Sequence, residues 1–175
     1  MVEITAQQPC EDPAIECLLD HAFGPGRLSR PSYRLREGVS PVADLSFVAR
    51  DGDKLIGTLR FWPVAIGNTP VLLLGPLAVD ADYRHCAIAS RLIARGLEEA
   101  QEAGHGIVTA VGDLDLFGRF GFMAATPLGL IMPGLADSRR FLAQELIPGA
   151  LDGIAGNLVR NPPRIPSGSP RSTSS

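Results

Sequence analysis

The stretch from Val71 to Gly104, VLLLGPLAVDADYRHCAIASRLIARGLEEAQEAG, constrains the fold more than any other part of the chain. Val71 to Val79 is a short apolar run interrupted by Gly75-Pro76. Its length and aliphatic character read as a buried strand. Proline has no N–H to give to a sheet ladder, so the strand is expected to bulge or splay at that point. Asp80 to Tyr83 makes a turn, and from about Ala87 the apolar residues Ile88, Ala89, Leu92, Ile93, Leu97 and Ala100 recur at helical spacing. Arg91, Arg95, Glu98, Glu99 and Glu102 occupy the other side of that helix. Gly104 is expected to end it as a left-handed cap.

At the junction Arg84-His85-Cys86-Ala87-Ile88-Ala89-Ser90, small residues lead straight into the first helical turn. Amides there have no partner within the helix. With the positive end of the helix dipole and Arg84 beside them, they form a site for a phosphate or pyrophosphate. Every helix has such an end, so on local physics alone an ordinary helix start is the plainer reading.

The order strand, Arg-x-x-small-x-small, helix resembles the acetyl-CoA-binding motif of the GNAT superfamily of N-acetyltransferases, Gln/Arg-x-x-Gly-x-Gly/Ala, here written Arg84-x-x-Ala87-x-Ala89. Downstream, Asp113-Leu114-Asp115-Leu116-Phe117-Gly118-Arg119-Phe120-Gly121-Phe122 is similar to that family's short helix ending in a Gly-Phe pair. Gly75-Pro76-Leu77-Ala78-Val79 and Tyr83-Arg84 also fit, and the resemblance spans roughly residues 2 to 146. Several motifs in the right order weigh more than any one alone.

The resemblance implies an α/β fold with a mixed sheet of GNAT type: antiparallel N-terminal strands, splayed central parallel strands and helices on both faces. It implies acetyl-CoA as co-substrate, no metal, and direct acetyl transfer to a primary amine of a small molecule or protein. The pantetheine arm would lie against the backbone of Leu77, Ala78 and Val79, with Phe117 beside it. The diphosphate would sit on Arg84, His85, Cys86, Ala87, Ile88, Ala89 and Ser90. Val79 would offer an N–H to the thioester oxygen as it gains charge. Asp113, also a helix cap, would position substrate or relay the amine proton. Two residues depart from the pattern. Ala87 replaces a glycine where backbone approaches the diphosphate. Phe117 stands where many relatives carry a tyrosine that protonates the departing thiolate, and loss of a general acid costs about a hundredfold to ten-thousandfold in rate. A catalytically weak acyl-CoA-binding sensor or scaffold of the same fold is therefore the alternative. Cys86 is not needed as a nucleophile, because direct transfer has no acyl-enzyme.

The other segments complete this frame. A strand is expected over Glu3–Gln7, and a helix from Asp12-Pro13 with Ile15, Leu18, Leu19 and Phe23 inward. A second helix is expected over Ser29–Glu37, where Arg27, Arg30, Arg34 and Arg36 read as a solvated basic face. In the family this loop walls the acceptor site, where such arginines would attract an anionic part of a substrate. Strands over Asp44–Arg50 and Lys54–Ile66 flank the turn Asp51-Gly52-Asp53, and Trp62 is expected either to line an acceptor pocket or, as is commoner, to fill core or cover a sheet face. Gly106–Val111 is expected as a strand parallel to Val71–Val79, Thr126–Met132 as a last strand, and Asp137–Leu146 as a helix. Asp115 and Arg119, four apart, suit a helical ion pair.

With 175 residues the chain suits one domain, expected over 2–146, with a C-terminal surface extension over 147–160 and a disordered tail over 161–175. A net charge of -3, with no run of basic residues long enough to neutralise a phosphate backbone, argues against nucleic-acid partners. The apolar runs are too short for a membrane span, and the N-terminus lacks the pattern of a secretory signal, so a cytoplasmic protein is expected. Cys10, Cys17 and Cys86 lack metal-site spacing and read as reduced thiols. An exposed final strand would suit a homodimer.

Overall fold

The structure, a computed structural model, describes residues 1–161, so all but the first residue of the expected disordered tail lies outside the described residues. Four antiparallel strands open the chain: β1 Val2–Ala6, β2 Ser46–Asp51, β3 Lys54–Ile66 and β4 Thr69–Val79. Two-residue turns, Gly52-Asp53 and Gly67-Asn68, join the last three, and each pairs its flanking residues directly. β5, Ile107–Val111, runs parallel to β4, as expected of a crossover through a helix. β8, Phe141–Glu145, then pairs antiparallel with β5, and β6, Met123–Ala124, closes that side, giving the order β1-β2-β3-β4-β5-β8-β6. The sheet is mixed, as the motifs imply.

Helices cover both faces. α3, Ile88–Glu102, buries Ile88, Leu92, Ile93, Leu97 and Ala100 against Phe47, Ala49, Leu59 and Phe61. Each fully buried aliphatic residue contributes about 1.5–3 kcal/mol. Gly96 sits mid-helix because a Cβ there would fall 2.5 Å from the Phe61 ring, so the small residue sets how closely α3 lies on the sheet. On the opposite face α1, Asp12–Phe23, packs Ile15 and Leu19 on Val48 and Ala78. Val48 and Ala49 thus serve opposite helices, as strand alternation requires.

Several C-terminal expectations are corrected. The segment expected as the helix Asp137–Leu146 is β8: Phe141 and Ala143 join the cluster around Trp62 while Leu142 joins the one under α3. A strand buried on both faces is apolar throughout, and its sequence does not separate it from a buried helix. The expected strand Thr126–Met132 is a 3₁₀ turn at Thr126–Leu128 and a two-residue strand, β7, Leu130–Ile131. Pro127 and the left-handed Gly129, φ 85°, prevent a longer run. The segment after residue 146 does more than run over the surface: β9, Gly156–Arg160, pairs antiparallel with β3 and parallel with β7, burying Leu158 beside Trp62.

Near the N-terminus, the helix expected over Ser29–Glu37 is a 3₁₀ stretch, Pro25–Ser29, followed by a single turn, α2, Pro31–Arg34, each started by its proline. Asp115 and Arg119 make no ion pair among the described residues, because α4 covers only Leu114–Phe117 and a 3₁₀ turn takes over before Arg119.

Candidate active site

The two central parallel strands part where Gly75-Pro76 predicts. β4 and β5 pair at Leu72–Val108, Leu73–Thr109 and Leu74–Ala110, and no further. Below the split, the buried Thr109 hydroxyl donates to the Leu72 carbonyl at 2.9 Å and fastens the two strands. Above it β4 stays with β3, its register slipping opposite Gly75-Pro76 so that Leu77 faces Leu59 and Val79 faces Gly57. The Asp80 amide donates to the Ile56 carbonyl at 2.7 Å, so Asp80 points its backbone at β3. Backbone groups alternate along a strand, so Ala78 also faces β3 while Leu77 and Val79 turn theirs to the open flank. Of the three residues expected to lie against the pantetheine arm, Leu77 and Val79 turn their backbone groups to the open flank. Ala78 does not; its methyl packs under α1.

At the wide end of the split a 3₁₀ stretch, Ala81–Cys86, leads to Ala87, whose φ of 56° and ψ of 28° are left-handed, and α3 begins at Ile88. No side chain caps this helix, and its first turn holds no acid. The Asp80 carboxylate is engaged within its own turn, accepting from the Asp82 amide at 2.9 Å and pairing with Lys54 at 3.5 Å. The amides of Ile88, Ala89 and Ser90 are the first three of a fifteen-residue helix, which have no intrahelical carbonyl to bind. Arg84, Cys86 and Ala87 are exposed beside them, and His85 completes this loop by position in the chain.

The other lip of the split is α4. Asp113 is exposed and caps it, one carboxylate oxygen accepting from the Asp115 amide at 2.9 Å. Phe117 is only 5% exposed. Its ring lies so close over Gly112 that a Cβ there would stand 2.4 Å away, and it meets Phe122 edge-on at 5.3 Å.

Between these lips and the α1–α2 connection lies a cavity of about 630 Å³, walled by Leu74 to Leu77, Asp113, Phe117, Tyr33, Arg36 and Arg140. A smaller one, about 210 Å³, lies across Arg36 and Tyr33 and is lined by Glu16, Arg27 and Trp62. The basic segment expected to be solvated is therefore split: Arg30 and Arg34 are exposed, but Arg27 and Arg36 are buried, at 5% and 8% exposure. Arg27 binds Glu16 at 2.5 Å and Asp20 at 3.0 Å. Burial alone would lower its pKa, but the hydrogen bonds it donates to Glu16, Tyr33 and Asp20 outweigh that and hold the guanidinium above its ordinary value. Arg60, equally buried on β3, has Asp12 at 3.0 Å and Glu16 at 3.8 Å.

Arg36 is treated differently. Its guanidinium lies 4.6 Å from the centre of the Tyr33 ring and 5.5 Å from that of Trp62. Among the described residues its Nε and Nη1 have no hydrogen-bond partner. Its Nη2 sits where Gly75 lacks a side chain, 2.9 Å from the place a Cβ would occupy. The Gly75 carbonyl accepts from Trp62 Nε1 at 2.6 Å. Burial pushes the Arg36 pKa down to about 10, with Arg60 and Arg27 adding to the fall and Tyr33 opposing it. It stays charged at neutral pH. The sequence does not single this residue out among the four arginines of its segment, and only its nearness to Tyr33 in sequence hints at aromatic packing.

A mixed sheet that opens between two parallel strands, beside an uncapped helix start, is the arrangement of the N-acetyltransferase fold, and comparison with known proteins agrees. The chain belongs to the acetyltransferase (GNAT) family, whose pattern residues 13–122 match. It is 31% identical over 156 residues to the uncharacterized N-acetyltransferase YhbS of Escherichia coli K12, covering 87% of this chain and 92% of that one. The crystal structure of E. coli YhbS in complex with CoA superposes with a TM-score of 0.78 at 30% identity, over 91% of this chain and 89% of that one. A GNAT family acetyltransferase from Brucella melitensis, solved in complex with acetyl-CoA, shares the fold at 24% identity, with a TM-score of 0.70 over 92% of this chain and 96% of that one. Among the described residues no helix is long and apolar enough to cross a membrane, and no group of His, Cys, Asp or Glu is arranged to hold a metal ion.

Proposed function

We propose that the chain transfers an acetyl group from acetyl-CoA to a primary amine, both substrates bound at once. The observation that carries this reading is the unzipped flank of β4 above Leu74, open between the uncapped start of α3 and the large cavity. The CoA of the YhbS complex and the acetyl-CoA of the Brucella protein support the choice of co-substrate. Acetyl-CoA supplies the activated acyl group. The chain's own residues bind and orient it: the amides of Ile88, Ala89 and Ser90, with Arg84, His85, Cys86 and Ala87 around them, hold the diphosphate. Leu77 and Val79 hydrogen-bond the pantetheine arm as a neighbouring strand would, with Ala78 behind them as support. The Val79 N–H stabilises charge growing on the thioester oxygen. Asp113, with one oxygen already engaged as a cap, uses the other to receive the amine proton.

Phe117 has no proton to give and is buried, and this favours a second reading, an acyl-CoA-binding sensor or scaffold with little turnover. Incubating the purified protein with acetyl-CoA and a broad panel of amines, while following free-thiol release and CoA binding, separates the two. Thiol release that depends on an amine is the expected result; tight binding with no turnover would favour the sensor. Phe117→Tyr is expected to leave CoA binding intact and not to lower kcat. A large fall would mean that Phe117 shapes the pocket for another purpose. The free, exposed Cys10, Cys17 and Cys86 support a reducing, cytoplasmic setting. A homodimer would use the outer edge of β1, which has no second strand partner among the described residues.

A further inference from the structure

Resting on the transferase reading above, we infer that the acceptor is a small amine that also carries a carboxylate, and that Arg36 is the residue that receives that carboxylate. The chain shows how it treats an arginine that only serves packing. Arg27 and Arg60 are as buried as Arg36, and each is matched with acids on α1. Arg36 has aromatic faces on Tyr33 and Trp62 and, among the described residues, no ion pair and no hydrogen bond at Nε or Nη1. A buried cation left this way is costly unless something completes it. A guanidinium flanked by rings is fixed in one plane, which suits two parallel hydrogen bonds to a carboxylate.

The setting agrees. Arg36 lines the same cavity as Gly75 and Leu77, where β4 leaves β5, so an anion bound there lies on the acceptor side of the split. Arg30 and Arg140 also line it. Of its two acids, Asp137 is taken up by Arg139 through both carboxylate oxygens, at 3.0 and 3.2 Å, leaving Asp113 for the amine. The cavity is thus basic with one free acid, which suits an acceptor with a carboxylate and an amino group. Its volume of about 630 Å³, shared with the end of the pantetheine arm, suits a small-molecule acceptor.

The test uses the full chain and acetyl-CoA, with the free amino acids each compared with its carboxamide, and short peptides bearing the same residues at their amino ends. One or more free amino acids is expected to be acetylated with kcat/KM on the order of 100-fold above its carboxamide. In Arg36→Gln and Arg36→Lys that preference is expected to fall by at least tenfold through KM, with CoA affinity unchanged as the check on folding. Equal rates for acids and carboxamides, or acetylation of peptides alone, would overturn the inference while leaving the transferase reading intact. If no amine is turned over, the transferase reading fails by itself. The inference is then decided by thermal shift of the CoA-loaded protein with the N-acetylated amino acids. Stabilisation of the wild type but not of Arg36→Gln supports it, and no stabilisation by any of them ends it.

Discussion

The two ends of the cleft are built from different material. At the α3 end the groups left open to the cleft are backbone: the amides of Ile88 to Ser90 and the free edge of Leu77 and Val79. At the other end they are side chains, Tyr33, Arg36, Asp113 and Arg140, brought together from three separate parts of the chain. A backbone site survives substitution as long as the chain trace is kept. Ala87 illustrates this, holding φ 56° although it carries a methyl where the family pattern has glycine. A side-chain site is tied to the identity of each residue, so it distinguishes one chain's chemistry from that of its relatives.

The sharpest way to break this contrast is to spoil the backbone end without loosening the fold. Ala89→Glu places a carboxylate in the first turn of α3, where the dipole favours it by about 0.3–1 kcal/mol. The same charge repels a diphosphate, so CoA affinity is expected to fall on the order of 100-fold while the melting temperature holds or rises. Unchanged CoA affinity by titration calorimetry would mean that the diphosphate does not sit there. A smaller effect compares the two buried arginines in denaturant. Arg27→Met removes the bonds to Glu16 and Asp20 and is expected to cost about 1–3 kcal/mol. Arg36→Met removes an unmatched buried charge and is expected to raise stability by about 1 kcal/mol, the lost aromatic contacts offsetting part of the gain. If both variants lose stability alike, Arg36 serves packing as Arg27 does. Smallest of all, Ala87→Gly relieves a left-handed alanine and is expected to raise stability by about 1 kcal/mol with CoA binding equal or tighter. The unfolding midpoint and the same titration check it.

What was legible in the sequence follows the same division. The strand, the split at Gly75-Pro76 and the helix start at Ala87 rest on local signals: apolar period, a missing N–H and small residues in order. They do not reach the backbone direction of Leu77, Ala78 and Val79, which depends on a register slip between β3 and β4 that no local pattern reveals. The C-terminal third was misread because Phe141, Leu142 and Ala143 are buried on both faces of the sheet and so lose the alternation that marks a strand. The side-chain end of the cleft was illegible for a related reason. Whether Arg36 is solvated or enclosed depends on Trp62 and Gly75, which lie on strands far from it in sequence.

The last described strand has a consequence for the order in which the molecule is finished. β3 is longer than β2, and β9 takes over the remainder of its edge at Val64 to Ile66. From there the Arg160 side chain donates to the Glu37 carbonyl at 3.1 Å, one residue past Arg36. The α3 end of the cleft, within residues 71–111, is translated before this clasp. A nascent or clipped chain ending near residue 155 would therefore keep the β4–α3 end of the cleft while the segment carrying Arg36 hung unlatched, and the side-chain wall would be the last part of the cleft to set.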